Sequence, residues 1–285
     1  MKIGIVGLGL IGGSMAKAYR EFSVANDLGY EIYGYNRSKS ITDFAILQGV
    51  LDGELDESTI PECDLIFVGL YPVSSIEYME EIAPLVKKSA FMIDLCGTKK
   101  EICRTGFALA EKYGFTFIGG HPMAGTHFSG YKYSRSTMFK SAPMVIVPPR
   151  FDDIALFEQI KKLLEPAGFG KFSFTTADEH DRMIAFTSQL AHVVSNAYVK
   201  SPTAKNHKGF SAGSYKDMTR VAWLNEKMWT ELFFENKEPL LYEIDEIDEI
   251  ISSLSEYRDA LESGDKEKMQ EILKAGRIAK EEIDG

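Results

Sequence analysis

One histidine of this chain lies in a setting suited to acid–base chemistry. His121 occurs in the glycine- and proline-rich run from Gly119 to Thr126, between stretches typical of β-strands. Imidazole titrates near neutral pH, so this side chain can take up or release a proton during a reaction. The loop alone also allows a structural role, in which His121 satisfies a backbone carbonyl. The choice depends on what else the chain binds.

A glycine-rich segment near the N-terminus supplies the second piece of chemistry. Residues 2–6 form a short apolar run, and the residues after it have the spacing G-x-G-x-x-G before a helical pattern begins. In that context Gly7 allows a tight turn, Gly9 lets the backbone approach a pyrophosphate, and Gly12 permits close packing of helix on strand. A dinucleotide site is therefore predicted, with a glycine turn that binds no ligand as the less favoured alternative.

The dinucleotide site and the downstream histidine together predict an oxidoreductase in which His121 faces a nicotinamide. The first helix contributes phosphate contacts, because its N-terminal N–H groups are free and its dipole end is positive. The predicted cofactor contacts in this segment are Gly7, Gly9, Leu10, Ile11 and Gly12.

The end of the second predicted strand, residues 31–36, indicates which nicotinamide cofactor binds. An acidic residue there hydrogen-bonds the ribose 2′-hydroxyl of NAD, but this chain has Asn36, followed by Arg37 and Ser38. A neutral amide does not repel a 2′-phosphate, and an arginine can pair with that phosphate through two N–H groups. These three residues are predicted cofactor contacts, and NADP is favoured. NAD stays open, because Arg37 could be solvated while Asn36 serves NAD.

Composition limits the class of protein. The 285 residues exceed the usual single core, which favours two domains. A net charge of −10 and a pI near 5.1 disfavour a nucleic-acid partner and require local cations for any anionic substrate.

The same composition predicts a soluble, cytoplasmic protein. No apolar run reaches the ~20 residues of a membrane span, and the N-terminus has the pattern of a strand rather than of a signal peptide. Cys63, Cys96 and Cys103 form no C-x-x-C pair. That spacing predicts free thiols in a reducing compartment, with neither disulfides nor a metal site.

Strands and helices alternate through the first part of the chain. Continuous apolar runs are typical of buried parallel strands, and residues 72–86 have helical spacing between two of them. The predicted strands are residues 2–6, 31–36, 64–70, 91–95, 115–119 and 143–147. Residues 1–172 are therefore predicted to form an α/β domain with a Rossmann-type, doubly wound sheet that binds NAD(P).

Beyond residue 172 the glycine-punctuated strands disappear. Helical patterns run almost to the C-terminus, so residues 173–285 are predicted to form an all-helical domain. Its last part, residues 240–283, has the amphipathic spacing of a packed surface or a subunit contact. Two Thr-x-x-Glu patterns, beginning at Thr98 and Thr176, predict capping boxes at helix starts.

Two groups of polar residues stand out in the helical part. Asp181, Ser188, His192 and Asn196 have spacings that predict one polar helix face, such as the wall of a wet cleft. An exposed face explains them equally well.

The second group is a pair of cations. Lys216 and Arg220 share a face if their segment is helical, where they repel each other weakly unless an anionic ligand offsets the repulsion. Neutralisation of one cation by Asp217 on a solvated surface is the alternative, slightly favoured on spacing alone.

Taken together, these motifs resemble the TyrA family of prephenate and arogenate dehydrogenases over essentially the whole chain. The similar segments are Gly7 to Gly12, Asp94 to Lys99, His121 to Thr126, Ser188 to His192, and Lys216 to Arg220. The resemblance implies an oxidative decarboxylation of prephenate in tyrosine biosynthesis, in which hydride passes to NAD(P)+ and carbon dioxide leaves as the ring becomes aromatic.

The resemblance also implies roles for particular residues. His121 matches the family histidine that contacts the substrate hydroxyl, and a neutral imidazole can accept that proton. Arg220 matches the arginine that binds a substrate carboxylate. The further implied pocket positions are Lys216, His192, Thr126 and His127 for the substrate, and Leu70 and Gly97 for the cofactor. Trp229 matches a family tryptophan, which packing in the core or at a dimer interface would equally explain.

Three departures from the family pattern bear on activity and specificity. Gly97 replaces a serine next to the nicotinamide, so Thr98 or a water would have to substitute for its hydroxyl. Gln189 stands where many members have a first histidine. His127 stands where some members have an acid, which would favour the ammonium group of arogenate. Without that acid, prephenate is the favoured substrate.

Two rival readings remain. A β-hydroxyacid dehydrogenase or imine reductase has the same architecture but would rely on a Lys or Asp of the helical domain instead of His121. A non-catalytic NADP-binding sensor would be consistent with Gly97 and Gln189. The family also implies a homodimer through the helical domain, and arogenate is the alternative substrate.

Overall fold

The apolar run after Met1 forms an inner strand of an eight-stranded sheet in the computed structural model, which describes residues 1–126 and 128–284. In chain order the strands are β1 (Lys2–Val6), β2 (Glu31–Tyr35), β3 (Gly53–Glu54), β4 (Leu65–Val68), β5 (Phe91–Asp94), β6 (Thr116–Pro122), β7 (Pro143–Val147) and β8 (Lys171–Phe174). The sheet order is β3-β2-β1-β4-β5-β6-β7-β8.

The strand directions identify the fold class. Strands β1 to β6 are parallel, β7 is antiparallel to β6, and β8 is parallel to β7. The chain order reverses between β1 and β4, which is the switch point of a doubly wound sheet. The predicted Rossmann-type sheet is therefore confirmed.

Both faces of this sheet are covered. Leu65 and Phe67 of β4 lie in a buried cluster on one face, whereas Ile66 and Val68 lie in a second cluster on the other. Burial on both faces explains why these strands are continuous apolar runs. Each such buried side chain contributes roughly 1.5–3 kcal/mol relative to an exposed one.

Helices make up the layers around the sheet and almost all of the chain beyond it, as predicted. They are α1 (Leu10–Ala25), α2 (Lys39–Leu47), α3 (Pro72–Ile82), α4 (Lys100–Tyr113), α5 (Ile154–Leu164), α6 (Ala177–Ile184), α7 (Ala191–Tyr198), α8 (Gly213–Thr219), α9 (Glu226–Glu235), α10 (Lys237–Asp245), α11 (Ile247–Ser263) and α12 (Lys266–Asp284). By their internal contacts, Met1–Lys237 and Glu238–Gly285 form two units.

Two local predictions in the first unit are wrong. His121 is not in a loop: it lies in β6 and pairs with Val145 of the antiparallel strand β7. Thr98 does not cap α4, whose N-cap is Lys99 without a side-chain cap bond. The second capping position is confirmed, because the Thr176 hydroxyl accepts a hydrogen bond from the Glu179 N–H at 3.2 Å.

The polar face predicted for residues 181–196 is also wrong. A π-helical segment, Ala185–Leu190, separates α6 from α7. Its wider turns break the 3.6-residue periodicity on which the prediction depended. Asp181 is buried, whereas Ser188 and His192 are partly exposed. Asp181 is therefore not part of an exposed face.

The second unit contains most of α10 and the helices α11 and α12. Helix α11 ends at Ser263 and is followed by Gly264, whose φ of +69° allows the left-handed turn before α12. Ile250, Ile251 and Leu254 on α11 are 45%, 53% and 62% exposed. Among the described residues, no helix is both long and apolar enough to cross a membrane.

Candidate active site

The glycine loop between β1 and α1 has the geometry of a phosphate cradle. Gly7 has φ of +87°, and a Cβ on Gly12 would lie 2.0 Å from the Gly7 carbonyl oxygen, so neither position tolerates a side chain. A Cβ on Gly9 would meet nothing within 4 Å. The N-terminus of α1 has no side-chain cap and no acid in its first turn. The backbone N–H groups beside this open space fit a pyrophosphate.

Other predicted cofactor residues adjoin this loop. The Asn36 side-chain oxygen accepts a hydrogen bond from the Leu8 N–H at 3.1 Å, and its amide donates to the Ser38 carbonyl at 3.2 Å. A Cβ on Gly7 would lie 2.7 Å from the Leu70 side chain. The structure thus brings Gly7, Asn36, Ser38 and Leu70 together at the carboxyl edge of the sheet.

His121 reaches the same edge on β6 and begins a chain of hydrogen bonds. Its Nδ1 lies 2.9 Å from Nε2 of His180, and Nδ1 of His180 lies 2.7 Å from Oδ1 of Asp181. His180 is 3% exposed and Asp181 is 2% exposed, whereas His121 is partly exposed. The chain therefore runs from the surface of the cleft into the interior.

The direction of these hydrogen bonds follows from the buried end. The Asp181 carboxylate only accepts, so His180 carries its proton on Nδ1 and accepts through Nε2. His121 must then donate from Nδ1, which leaves a lone pair on its Nε2. The arrangement fixes His121 in the tautomer of a general base.

Asp181 also replaces the missing cap of α4. Its Oδ1 accepts from the Lys99 N–H at 2.7 Å, and its Oδ2 accepts from the Lys100 N–H at 2.8 Å. A carboxylate at a helix N-terminus is stabilised by the free N–H groups and the helix dipole. The turn that carries Gly97 is thereby tied to the residue that orients His180.

A buried ion pair completes a ring around His121. The Lys99 ammonium pairs with Oδ2 of Asp94, and both residues are 0% exposed. Oδ1 of Asp94 accepts from the Gly120 N–H at 3.0 Å. Since Gly120 precedes His121 in the chain, the bonds from His121 through His180, Asp181, Lys99 and Asp94 return to the histidine's own strand.

The electrostatics of this ring keep both histidines neutral. Burial lowers the pKa of His121 well below its ordinary value, and His180 and Lys99 lower it further. Burial also lowers the pKa of His180, against the opposing effect of Asp181. Burial opposes the charge on Lys99, but Asp94 outweighs it and raises the pKa of Lys99. A neutral His121 can accept a proton.

The second polar region is built around His192. Its Nδ1 donates to the Ser188 carbonyl at 2.8 Å, and its ring packs against Trp229 with centroids 3.9 Å apart and the ring planes tilted by 33°. Burial lowers the pKa of His192, and the nearby charge of Arg220 lowers it further. The structure therefore brings Arg220 and His192 together, and Trp229 contacts a predicted substrate residue.

The remaining predicted site residues are less constrained. Lys216 is exposed on α8, and none of the hydrogen bonds within residues 1–126 and 128–284 joins it to His121 or His192. The Thr126 hydroxyl hydrogen-bonds the backbone of Phe128. Arg37 is exposed, and His127 lies outside the described residues.

The sequence analysis does not identify the four residues that orient His121. It gives no role to His180, places Asp181 only on a polar face, and includes Asp94 and Lys99 only as the bounds of a segment similar to the family. The sequence signal for two of these residues is the pair His180-Asp181 near the start of an amphipathic helix. Polar residues of this kind are rarely buried unless they are paired with partners.

Three buried free cysteines lie among the described residues, and no group of three or more His, Cys, Asp or Glu residues there could hold a metal ion.

A doubly wound sheet, a phosphate cradle and an oriented histidine at one sheet edge define a nicotinamide-dependent dehydrogenase of the Rossmann type. Residues 24–171 match the family model "prephenate dehydrogenase, nucleotide-binding domain", and residues 176–275 match "prephenate dehydrogenase, dimerization domain". The chain therefore belongs to the prephenate dehydrogenase family, which confirms the resemblance seen in its sequence.

Individual relatives agree with this assignment. The chain is 29% identical over 282 residues to prephenate dehydrogenase of Bacillus subtilis, which covers 96% of this chain and 73% of the relative. It is 32% identical over 256 residues to prephenate dehydrogenase of Lactococcus lactis, and the aligned residues cover 86% of this chain and 67% of the relative. The crystal structure of Aquifex aeolicus prephenate dehydrogenase with hydroxyphenyl propionate and NAD+ is similar with a TM-score of 0.80 at 25% identity, covering 99% and 98%.

Proposed function

We propose that this chain converts prephenate to 4-hydroxyphenylpyruvate and carbon dioxide in tyrosine biosynthesis, with reduction of NADP+. The observation that carries the proposal is the orientation of His121, whose Nε2 lone pair is fixed at the sheet edge that bears the phosphate cradle. The bound nicotinamide supplies the hydride acceptor. His121 accepts the proton of the ring hydroxyl as the C–O bond becomes a carbonyl.

The substrate carboxylates require cations, and Arg220 is the residue we assign to one of them. An arginine binds a carboxylate through two parallel N–H groups and so orients the ring as well as holding it. His192 lies beside Arg220, and we assign it, with Lys216, Thr126 and His127, to the rest of the pocket. Without an acid at residue 127, prephenate is favoured over arogenate.

NADP is proposed over NAD because of the residues after β2. Asn36 is neutral, and its amide already bonds to Leu8 and Ser38. Arg37 is exposed beside the N-terminus of α2, which has no side-chain cap and no acid in its first turn. An exposed arginine beside an uncapped helix N-terminus suits a 2′-phosphate better than a bare ribose hydroxyl.

We also propose the domain boundary and the assembly. A nucleotide-binding domain of residues 1–172 and a helical domain of residues 173–285 agree with the family models, which leave residues 172–175 between them. The dimerization model over residues 176–275 supports a homodimer. The cytoplasmic location stays a prediction.

Absorbance at 340 nm with each pairing of NADP+ or NAD+ and prephenate or arogenate tests the proposal. The expected result is reduction that is fastest with prephenate and NADP+. Faster reduction with arogenate or NAD+ would correct the assignment of residue 127 or of Asn36 and Arg37, respectively. No reduction in any of the four pairings would contradict the enzymatic function and favour a sensor.

A further inference from the structure

Helix α3 begins beside Leu70 and receives its cap from a distant part of the chain. Its N-cap, Tyr71, makes no side-chain cap bond. Instead the Val73 N–H donates to Oε1 of Glu231 at 2.9 Å, across 158 residues of sequence. Glu231 lies on α9 and is partly buried. A carboxylate from the helical part of the chain thus stabilises the start of a helix in the nucleotide-binding part.

The residues of α9 that follow Glu231 contact the neighbouring turn. The Leu232 side chain lies beside Gly97, since a Cβ there would be 3.3 Å from it. The Leu232 carbonyl accepts from the Gln189 side-chain amide at 3.0 Å. Asn236, the C-cap of α9, donates to the Asp181 carbonyl and to Oε1 of Gln189, both at 2.8 Å. Helix α9 therefore contacts both turns that follow β4 and β5.

These two turns are also joined to each other. The Cys96 thiol lies 3.6 Å from the Leu70 carbonyl oxygen and 3.4 Å from the Ser75 hydroxyl on α3. Since the carboxyl ends of β4 and β5 lie next to the switch point, their turns bound the dinucleotide cleft. A shift at the start of α3 would move the walls of that cleft.

We propose that Glu231 is a positioning residue for the cofactor. It holds the turn from Leu70 to Val73 against α9, and the affinity for the dinucleotide depends on this carboxylate although it does not itself contact the dinucleotide. The inference rests on the proposed use of NADP(H) by the site with Leu70 and Gly97.

The test compares Glu231→Gln and Glu231→Ala with Asp153→Ala. Asp153 caps α5 by accepting from the Leu156 N–H at 2.9 Å. Helix α5 follows the antiparallel strand β7, so its N-terminus lies at the opposite edge of the sheet. The control therefore removes a helix cap without touching the cleft.

The primary readout is the dissociation constant of NADPH from fluorescence titration of the full-length protein. We expect Glu231→Ala to raise it about fivefold, the effect of losing one helix cap, and Glu231→Gln to raise it less. The KM for the cofactor should rise more than kcat falls. Amide exchange of residues 73–79 should speed up in both Glu231 variants and remain unchanged in Asp153→Ala.

An unchanged NADPH dissociation constant in Glu231→Ala would overturn the inference, as would an equal rise in Asp153→Ala. The titration needs no second substrate, so its result is independent of turnover. If the wild-type protein binds NADPH but does not oxidise prephenate, the proposed reaction fails and the positioning role stands. If it binds no nicotinamide nucleotide, both are overturned.

Discussion

The surroundings of His121 and those of Arg220 differ in how firmly they are held. Around His121, the residues that orient it are Asp94, Lys99, His180 and Asp181, all between 0% and 3% exposed and joined in a closed ring. Around Arg220, the neighbouring Met218 and Trp223 are 53% and 76% exposed. The group assigned to proton transfer is fixed before substrate arrives, whereas the cation assigned to the carboxylate is not.

The difference indicates which part of the reaction depends on each region. A buried, fully satisfied network cannot rearrange cheaply, so it fixes geometry for the chemical step. An exposed arginine is ordered only by its ligand and loses side-chain entropy on binding. Changes in the ring should therefore lower kcat, and changes at the cation should raise KM.

The largest effect is expected from His121→Asn. Asparagine can still donate to His180, but it provides no basic nitrogen for the substrate hydroxyl. The value of kcat with prephenate should fall about 1,000-fold. Steady-state kinetics measure it, and NADPH titration shows whether the cleft is intact. Retained turnover would contradict the role of His121 and favour a catalytic Lys or Asp elsewhere.

The next largest effect is expected from Arg220→Ala. Loss of a two-bond contact to a carboxylate should raise the KM for prephenate about 100-fold, with a smaller change in kcat. Arg220→Lys keeps the charge but not the planar pair of donors, and should recover only part of the affinity. If kcat falls as much as affinity, the two regions are not separate in function.

An intermediate effect is expected from the pH dependence of kcat/KM. In the proposed mechanism His121 acts only when neutral, so activity should be present above its pKa and be lost as the pH falls through it. Because burial lowers this pKa, the acid limb of wild type should lie below the ordinary histidine value of 6.5. His180→Gln keeps an acceptor for His121 but removes an ionisable neighbour, so the limb should move to higher pH and kcat should fall about tenfold. An unmoved limb would contradict coupling through His180.

The smallest effect is expected at Gly97, next to the ring. A Cβ there would lie 3.3 Å from a terminal methyl of Leu232, which can move. Gly97→Ser should therefore leave the melting temperature almost unchanged and alter kcat by no more than about twofold. Gly12→Ala is the matched control, because its Cβ would lie 2.0 Å from a carbonyl oxygen and should abolish NADPH binding. A large change in kcat in Gly97→Ser would contradict this expectation and would mean that a side chain at residue 97 contacts the reacting groups.

The parts of the fold that the sequence predicts are those determined by neighbours along the chain. The glycine spacing from Gly7 to Gly12 specifies a turn and a cradle whatever lies elsewhere, because it restricts the backbone directly. The apolar runs of β4 and β5 predict buried strands because both faces of the sheet are covered.

The parts that the sequence does not predict depend on distant residues. Thr98 has the pattern of a cap, but Asp181, 82 residues from Lys99 in the chain, accepts from the Lys99 and Lys100 N–H groups and takes its place. The pair of His121 and His180 is separated by 59 residues. His121 was predicted in a loop because glycine and proline surround it, yet pairing with β7 extends the strand through it. Local preference yields to tertiary partners in each case.

Because Ala185–Leu190 is π-helical, the place at which a residue is lost between Asp181 and His192 matters as much as the identity of the residues there. A π-helical turn holds one residue more than an α-helical turn. Deleting one residue within the π-helical segment would let an unbroken α-helix form, and because the wider turn already takes up the extra residue, His192 would keep nearly its present direction relative to Asp181. Deleting one residue of the α-helical turns of α6, or the first residue of α7, would instead rotate everything after it by about 100°. His192 would then leave Trp229 although no side chain of the site had been altered. A change of one residue in length should therefore be tolerated within the π-helical segment and damaging beside it.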